Sequence, residues 1–398
     1  MIKKNNNYEC VILCGGYGER LKILTNHIPK PLLKVMGKPF LLHLIQNLQR
    51  FGIKKIILLT YYKNEKFKKF IKYYKLNQVK IIKEKKKLGT GRAIINSLKY
   101  LRSSFYIING DSIFDFNYND LKLKNYSCVL AGVKKKKKSY HYVYKKKYNL
   151  ITAVKQNKKS CLISGGVIFA KKKFFKKIKI KNELDLDKDI LWPNISKRKV
   201  FIKEYKNIFH DIGDSYNSFS KTENIINKIK LKPCAYLDRD GVINYDKGYV
   251  VKREDFKWRQ GAKEAIKYLN DNNYYVIVIS NQAGIAHGYY SAKDVENLHD
   301  YISQELDNIG AHVDKYYFSP YHPKAKIKKF RKISDCRKPN SGMLKKSFED
   351  FFINKKKSFF IGDNVSDNEC ANKENIKFYF AKNSLFKQVK TIIKNNLV

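Results

Sequence analysis

The stretch CAYLDRDGVINYD, residues 234–246, holds a short apolar run that ends in two aspartates one residue apart, followed by glycine. It reads as the first strand of a domain, with Asp238 and Asp240 delivered at its C-terminal end, where open α/β sheets bind their ligands. Three later segments have the same build. YYVIVISNQAGIAHG (274–288) is an apolar strand that ends at Ser280 and turns on glycine. DCRKPNSGML (335–344) sets Arg337 and Lys338 ahead of a helix, and KSFFIGDNVSDNECA (357–371) is a strand that ends at Asp363, with Asp367 four residues later.

This pattern begins only after 230 residues, so another domain precedes it. A chain of 398 residues is long enough for two or three. The lysine-rich stretch NSFSKTENIINKIKLKP (217–233) reads as a last helix and linker, which places the domains at 1–228 and 229–398. No apolar run approaches the roughly 18 residues of a membrane span. The seven cysteines are scattered and form no CxxC pair, so a reduced, cytoplasmic compartment is expected, with no membrane partner.

The net charge is +48, from 83 Lys+Arg against 35 Asp+Glu. A concentrated basic stripe would point to nucleic acid. Here lysines are spread through both halves, in runs such as 83–87 and 134–138 that lie between apolar segments. They read as solvated loops and faces, and no nucleic-acid partner is expected. Steering of phosphorylated substrates follows in either case.

The first half opens with ECVILCGGYGERLKILTNHIPKPLLKVMGKPF (9–40), a buried strand running into Gly15, Gly16 and Gly18, then Arg20 and, after a polar spacer, Lys30 between two prolines. Glycines let backbone N–H groups close around phosphate oxygens, and the two cations can meet the same polyphosphate. The GK[ST] ending of a Walker A loop is absent. Further strands and helices alternate. LGTGRAIINSLKYL (88–101) turns on Gly89, Thr90 and Gly91 into a helix, and SSFYIINGDSIF (103–114) delivers Asp111 at a strand end. The fold class read from this is α/β throughout: two Rossmann-like domains, the first with a mixed sheet, the second with a parallel sheet and no large cap.

The glycine–Arg20–Lys30 pattern resembles the signature of sugar-phosphate nucleotidyltransferases over residues 8–228, and within them heptose-1-phosphate guanylyltransferases. The resemblance implies Mg²⁺ on Asp111 and Asp211, with Asp214 as a less favoured alternative to Asp211. It implies a nucleotide on Gly15, Gly16, Gly18, Arg20, Gly89, Thr90 and Gly91, and a sugar phosphate on Gly165, Gly166 and Asp187. Two departures stand out: Arg92 follows LGTG, and Gln156-Asn157 replaces a Glu-Lys pair, with Lys155 or Lys158 as substitutes.

Residues 233–398 resemble haloacid-dehalogenase-type phosphatases, and within them the heptose-1,7-bisphosphate phosphatase and histidinol-phosphatase group. The resemblance implies Asp238 as nucleophile and Asp240 as acid and base. It implies Mg²⁺ on Asp238, Asp363 and the Asp240 carbonyl, with Asp367 in support. Ser280 and Lys338 would hold phosphoryl oxygens. Asp246, Gly248, Tyr249, Asn281, Gln282 and Arg337 would contact substrate. Many members carry a Cys/His zinc loop, but here Ser319, Tyr321 and Ser334 stand at ligand positions and leave Cys336, so no zinc is expected. Together the halves imply removal of the 7-phosphate from heptose 1,7-bisphosphate, then coupling of heptose 1-phosphate to GMP from GTP.

Overall fold

The computed structural model describes residues 9–53, 55–123, 126–134, 140–145, 150–156, 162–176, 178–195, 197–213 and 215–396. Asn157, Lys158 and Asp214 lie outside the described residues. The chain divides into two compact units, with the change at Ile226/Asn227. The stretch expected to be helix and linker is helical over Thr222–Lys230, and strand structure resumes at Cys234, so little of it is linker.

The first unit is built on a nine-stranded sheet. Its strands are β1 (Glu9–Leu13), β2 (Lys55–Thr60), β3 (Val79–Lys83), β4 (Ser104–Asn109), β5 (Cys128–Val133), β6 (Tyr140–Lys145), β7 (Leu150–Gln156), β8 (Ile163–Lys171) and β9 (Val200–Glu204). They lie in the order β3-β2-β1-β4-β8-β5-β9-β7-β6. β1 pairs in parallel with β2 and β4, and β8 enters antiparallel between β4 and β5, so the sheet is mixed. Val11, Ile57, Ile107 and Leu130 point to one shared core. The glycine loop leaves β1 and Asp111 leaves β4. These two strands are adjacent, so both arrive at the same sheet edge. A separate two-stranded antiparallel ladder pairs Ser112–Phe114 with Phe209–Asp211 and sets Asp211 opposite Ser112.

The second unit carries a five-stranded, all-parallel sheet: β10 (Cys234–Leu237), β11 (Tyr275–Asn281), β12 (Lys315–Ser319), β13 (Phe359–Gly362) and β14 (Lys377–Phe380), in the order β12-β11-β10-β13-β14. Alternate residues feed two cores. Ala235, Leu237, Val276, Val278 and Ile361 join one, while Cys234, Tyr236, Ile277, Ile279 and Phe360 join the other. Burial on both faces explains why these strands read as unbroken apolar runs. β10 is central, with β11 and β13 on its flanks. Asp238, Ser280 and Asp363 therefore emerge side by side at the C-terminal edge. Among the described residues no helix is long and apolar enough to cross a membrane.

Candidate functional site

In the second unit these strand ends enclose a cleft of about 300 Å³, lined by Asp238, Asp240, Ser280, Gln282, Lys338 and Asp363 among others. Asp238 is buried, and its backbone N–H donates to the Ile361 carbonyl at 3.0 Å, which fixes the strand end. Lys338 lies in the middle of the acidic group. Its Nζ is 2.7 Å from Asp238 Oδ2 and 2.6 Å from Asp367 Oδ1, and it donates to the Ile279 carbonyl at 3.0 Å. Burial presses the Lys338 pKa down, but the two carboxylates outweigh it and leave the ammonium firmly charged. Burial pushes Asp238 up to about 7; Lys338 opposes this, and Asp367 and Asp240 add to it.

Asp238, Asp363 and Asp367 each place a carboxylate oxygen within 4.8 Å of the others. One lysine does not balance three carboxylates, so the donor set fits a hard divalent cation. Gly241 is required here. Its φ is +77°, and a Cβ would lie 1.8 Å from Asp363 Oδ2. Asp367 Oδ2 also accepts the Asn364 N–H at 3.1 Å, so its carboxylate is engaged on both oxygens.

Asp240 is held differently. It accepts from Arg239, from Asn244 Nδ2 at 2.9 Å and from Gln282 Nε2 at 3.2 Å. Gln282 Nε2 also donates to Ser280 Oγ at 2.7 Å, which joins Asp240 and Ser280 in one network. Asn281 and Lys338 exchange two hydrogen bonds, Nδ2 to carbonyl at 3.0 Å and N–H to Oδ1 at 3.1 Å. Asp246 caps the Gly248 N–H at 2.8 Å on the loop that carries Tyr249 into the cleft wall.

The first unit has a cleft of about 260 Å³, lined by Gly15, Gly16, Lys30, Glu84, Gly89, Thr90 and Asp111 among others. Lys30 Nζ pairs with Asp111 Oδ2 at 2.6 Å. The Ile212 N–H donates to the Asp111 carbonyl at 2.9 Å, which brings the Asp211 segment beside it. Gly89 has φ +87°, and a Cβ there would lie 2.3 Å from the Leu184 carbonyl oxygen. Gly91 N–H donates to that same oxygen at 2.8 Å, so this glycine turn also serves close packing. Other expected residues stand outside the lining. Arg20 is exposed on the Glu19–Leu21 turn, Gly18 and Gly91 back the loops, and Gly165 and Gly166 lie on β8. Asp187 accepts from the Tyr142 hydroxyl at 3.0 Å.

Glu84 was not anticipated. It follows β3, five residues before Gly89, and lines the cleft beside Gly15. Burial raises its pKa to about 7, and its Oε1 is buried with no hydrogen-bond partner.

Comparison with known proteins separates the units in the same way. The family model described as "Nucleotidyl transferase" matches residues 9–147, and "Polynucleotide kinase 3 phosphatase" matches 234–389. D-glycero-beta-D-manno-heptose-1,7-bisphosphate 7-phosphatase of Rhodopseudomonas palustris is 41% identical over 140 residues, 35% of this chain and 78% of that one. The chain belongs to the heptose-1,7-bisphosphate 7-phosphatase family. The D-glycero-alpha-D-manno-heptose-1,7-bisphosphate 7-phosphatase of Campylobacter jejuni is 42% identical over 132 residues, 33% of this chain and 72% of that one. The structure of HddC from Yersinia pseudotuberculosis superposes with a TM-score of 0.49 at 28% identity, over 55% of this chain and 98% of that one. The first unit is a nucleotidyltransferase domain and the second a phosphatase domain.

In this heptose-bisphosphatase unit the loop before Arg337 closes on hydrogen bonds. Cys336 Sγ lies 3.3 Å from Ser319 Oγ and 3.1 Å from Ser334 Oγ. Two hydroxyls around one thiol are not a zinc ligand set. The residues that sequence reading placed at ligand positions do meet in space, except that Tyr321 contributes its backbone N–H, 3.4 Å from Ser319 Oγ.

Proposed function

We propose that the protein removes the 7-phosphate from D-glycero-D-manno-heptose 1,7-bisphosphate and then transfers GMP from GTP to the resulting heptose 1-phosphate. The products would be orthophosphate, pyrophosphate and GDP-heptose, a donor for surface polysaccharide. The observation that carries this reading is the pairing, in one chain, of a heptose-bisphosphatase-family unit with a nucleotidyltransferase unit. The second unit would make the sugar phosphate that the first consumes.

In the phosphatase, Asp238 attacks phosphorus and the P–O bond to the sugar breaks. The sugar oxygen leaves with a proton from Asp240. Water, deprotonated by Asp240, then attacks the aspartyl-phosphate and frees phosphate and Asp238. Lys338 and Ser280 hold the phosphoryl oxygens. Asp238, Asp363 and the Asp240 carbonyl would hold Mg²⁺, which when bound screens the nucleophile from the phosphate charge. In the transferase, a phosphate oxygen of the sugar attacks the α-phosphorus of GTP while pyrophosphate leaves. Lys30 meets the polyphosphate, and Asp111 and Asp211 would hold Mg²⁺.

Glu84 favours guanine. Guanine alone among the common bases places two N–H donors side by side on its pairing edge, and a carboxylate accepts both. Glu84 lines the cleft, where its carboxylate would meet that pair. The test is a coupled assay of the whole protein with each nucleoside triphosphate and both anomers of the bisphosphate. The proposal requires GDP-heptose from GTP; turnover with another triphosphate and none with GTP would overturn it.

A further inference from the structure

Tyr290 lines the phosphatase cleft and takes no part in the chemistry above. It stands between the short helix Ala283–His287, which starts just after β11, and the helix Ala292–Asp307, which Ser291 caps. The chain turns back between them, and the Tyr289 N–H donates to the Gly284 carbonyl at 2.9 Å. Gly284 also makes room for the next ring. A Cβ there would lie 2.3 Å from Cε1 and Cζ of Tyr290 and 2.6 Å from its hydroxyl oxygen. The hydroxyl so placed donates to Gln282 Oε1 at 2.9 Å. Burial raises the Tyr290 pKa to about 12, against the pull of Arg239, so the hydroxyl keeps its proton and remains a donor.

Chemistry fixes the direction of each hydrogen bond along this line. A glutamine amide has an accepting oxygen at one corner and a donating nitrogen at the other. The ionised Asp240 carboxylate only accepts, so Gln282 turns Nε2 towards it, 3.2 Å from Oδ2. Oε1 then faces Tyr290, where only a donor satisfies it. The second N–H of the same amide reaches Ser280 Oγ at 2.7 Å. Ser280 accepts there, which leaves its own proton for another partner. Ser280 and Gln282 are each 1% exposed, so water is not at hand to replace a lost partner. A reversed amide would set Oε1 against the Asp240 carboxylate and withdraw the donor from Ser280.

We propose that Tyr290 is a positioning residue of the phosphatase, whose hydroxyl holds the Gln282 amide in the one orientation that donates to Asp240 and to Ser280 together. Held so, Ser280 turns its O–H to a phosphoryl oxygen, and Asp240 stays in place to pass a proton to the leaving sugar oxygen. This inference rests on the reading of Asp240 as acid and Ser280 as phosphoryl ligand, and deepens it by naming what orients both.

The experiment is a double-mutant cycle on the full chain: Tyr290→Phe, Gln282→Ala and the two together, with Asp240→Asn beside them. It reads kcat for phosphate release at saturating heptose 1,7-bisphosphate. Phenylalanine keeps the ring against Gly284 and removes only the hydroxyl, and the urea midpoint checks that each variant is folded. Tyr290→Phe should lower kcat by about three- to tenfold, the weight of one oriented hydrogen bond. In the Gln282→Ala background the same substitution should change kcat by less than about twofold, because Tyr290 then has no amide to orient. A parental kcat in Tyr290→Phe, or an equal loss in both backgrounds, would overturn the positioning role alone. A parent that leaves the bisphosphate intact, or a parental kcat in Asp240→Asn, would overturn the reading beneath it.

Discussion

Both carboxylate oxygens of Asp240 accept hydrogen bonds from Nη2 of Arg239, at 2.9 and 2.7 Å, and the Arg239 side chain is fully buried. Nε adds a contact of 3.2 Å to Oδ1, and the same Nη2 donates to the Val250 carbonyl at 2.6 Å. A buried guanidinium is stable only when paired, and here its ion-pair partner is the proposed proton carrier. Arg239 thus ties Asp240 to the loop that carries Tyr249.

Arg239 is therefore expected to be a positioning residue. Arg239→Met should cut phosphatase kcat by about 10²–10⁴-fold, the usual weight of acid–base catalysis. Arg239→Lys should recover part of this, since it restores charge without the planar fork. Transferase activity, measured on supplied heptose 1-phosphate, controls for loss of the whole protein. A methionine variant with parental kcat would remove Arg239 from the mechanism.

The sequence made Asp238, Asp240, Ser280, Lys338 and Asp363 visible because each closes an apolar run or opens a helix. It also made the two glycine turns visible, since backbone that takes a positive φ or packs closely leaves a compositional mark. Arg239 passed unseen as the spacer between two aspartates, because a charged residue at that position reads as exposed until its burial is known. Glu84 was hidden among lysines, in a stretch that reads as a solvated loop. The same lysine-rich texture concealed β6 and β7, which carry the sheet out to its edge. Charged edge strands resist unwanted pairing, and that same charge erases the apolar alternation that would reveal them.

Glu84→Gln tests the base preference. It keeps the shape of the side chain but replaces one acceptor oxygen by a donor, so it can no longer accept both guanine N–H groups. The ratio of kcat/KM for GTP over ATP should fall by on the order of tenfold or more. Competition between the two triphosphates in one reaction measures this directly. An unchanged ratio would place base recognition elsewhere.

His299 makes a prediction about stability and pH. It is 5% exposed and stacks on Tyr316 at 4.3 Å, and its Nε2 has no hydrogen-bond partner. Burial, and then the charge of Arg239, lowers its pKa to about 3. The unfolded chain, with a histidine pKa near 6.5, binds the proton more readily. Its contribution to stability is therefore complete above about pH 6.5 and is lost as pH falls from there towards 3. His299→Phe should flatten that part of the profile, so its urea midpoint should fall less than the parent's between pH 7.5 and pH 5. Parallel profiles would show that His299 accepts a proton in the folded state.

The order of the two reactions can be tested through Asp238. Asp238→Asn keeps volume and hydrogen-bonding reach but removes the anionic oxygen that attacks phosphorus. Phosphatase turnover should fall by several powers of ten, on the order of the loss when a nucleophile is deleted. The pair between Lys338 and Asp367, at 2.6 Å, keeps the buried ammonium partnered, so the fold should survive. Transfer to supplied heptose 1-phosphate should persist, because Lys30 and Asp111 belong to the other unit. Given only the bisphosphate and GTP, the parent should form GDP-heptose and the variant almost none. Product formation by the variant at the parental rate would mean either that Asp238 is not the nucleophile or that nucleotidyl transfer comes first. Mass analysis separates these, since a GDP-heptose that still carries its 7-phosphate arises only if transfer precedes hydrolysis.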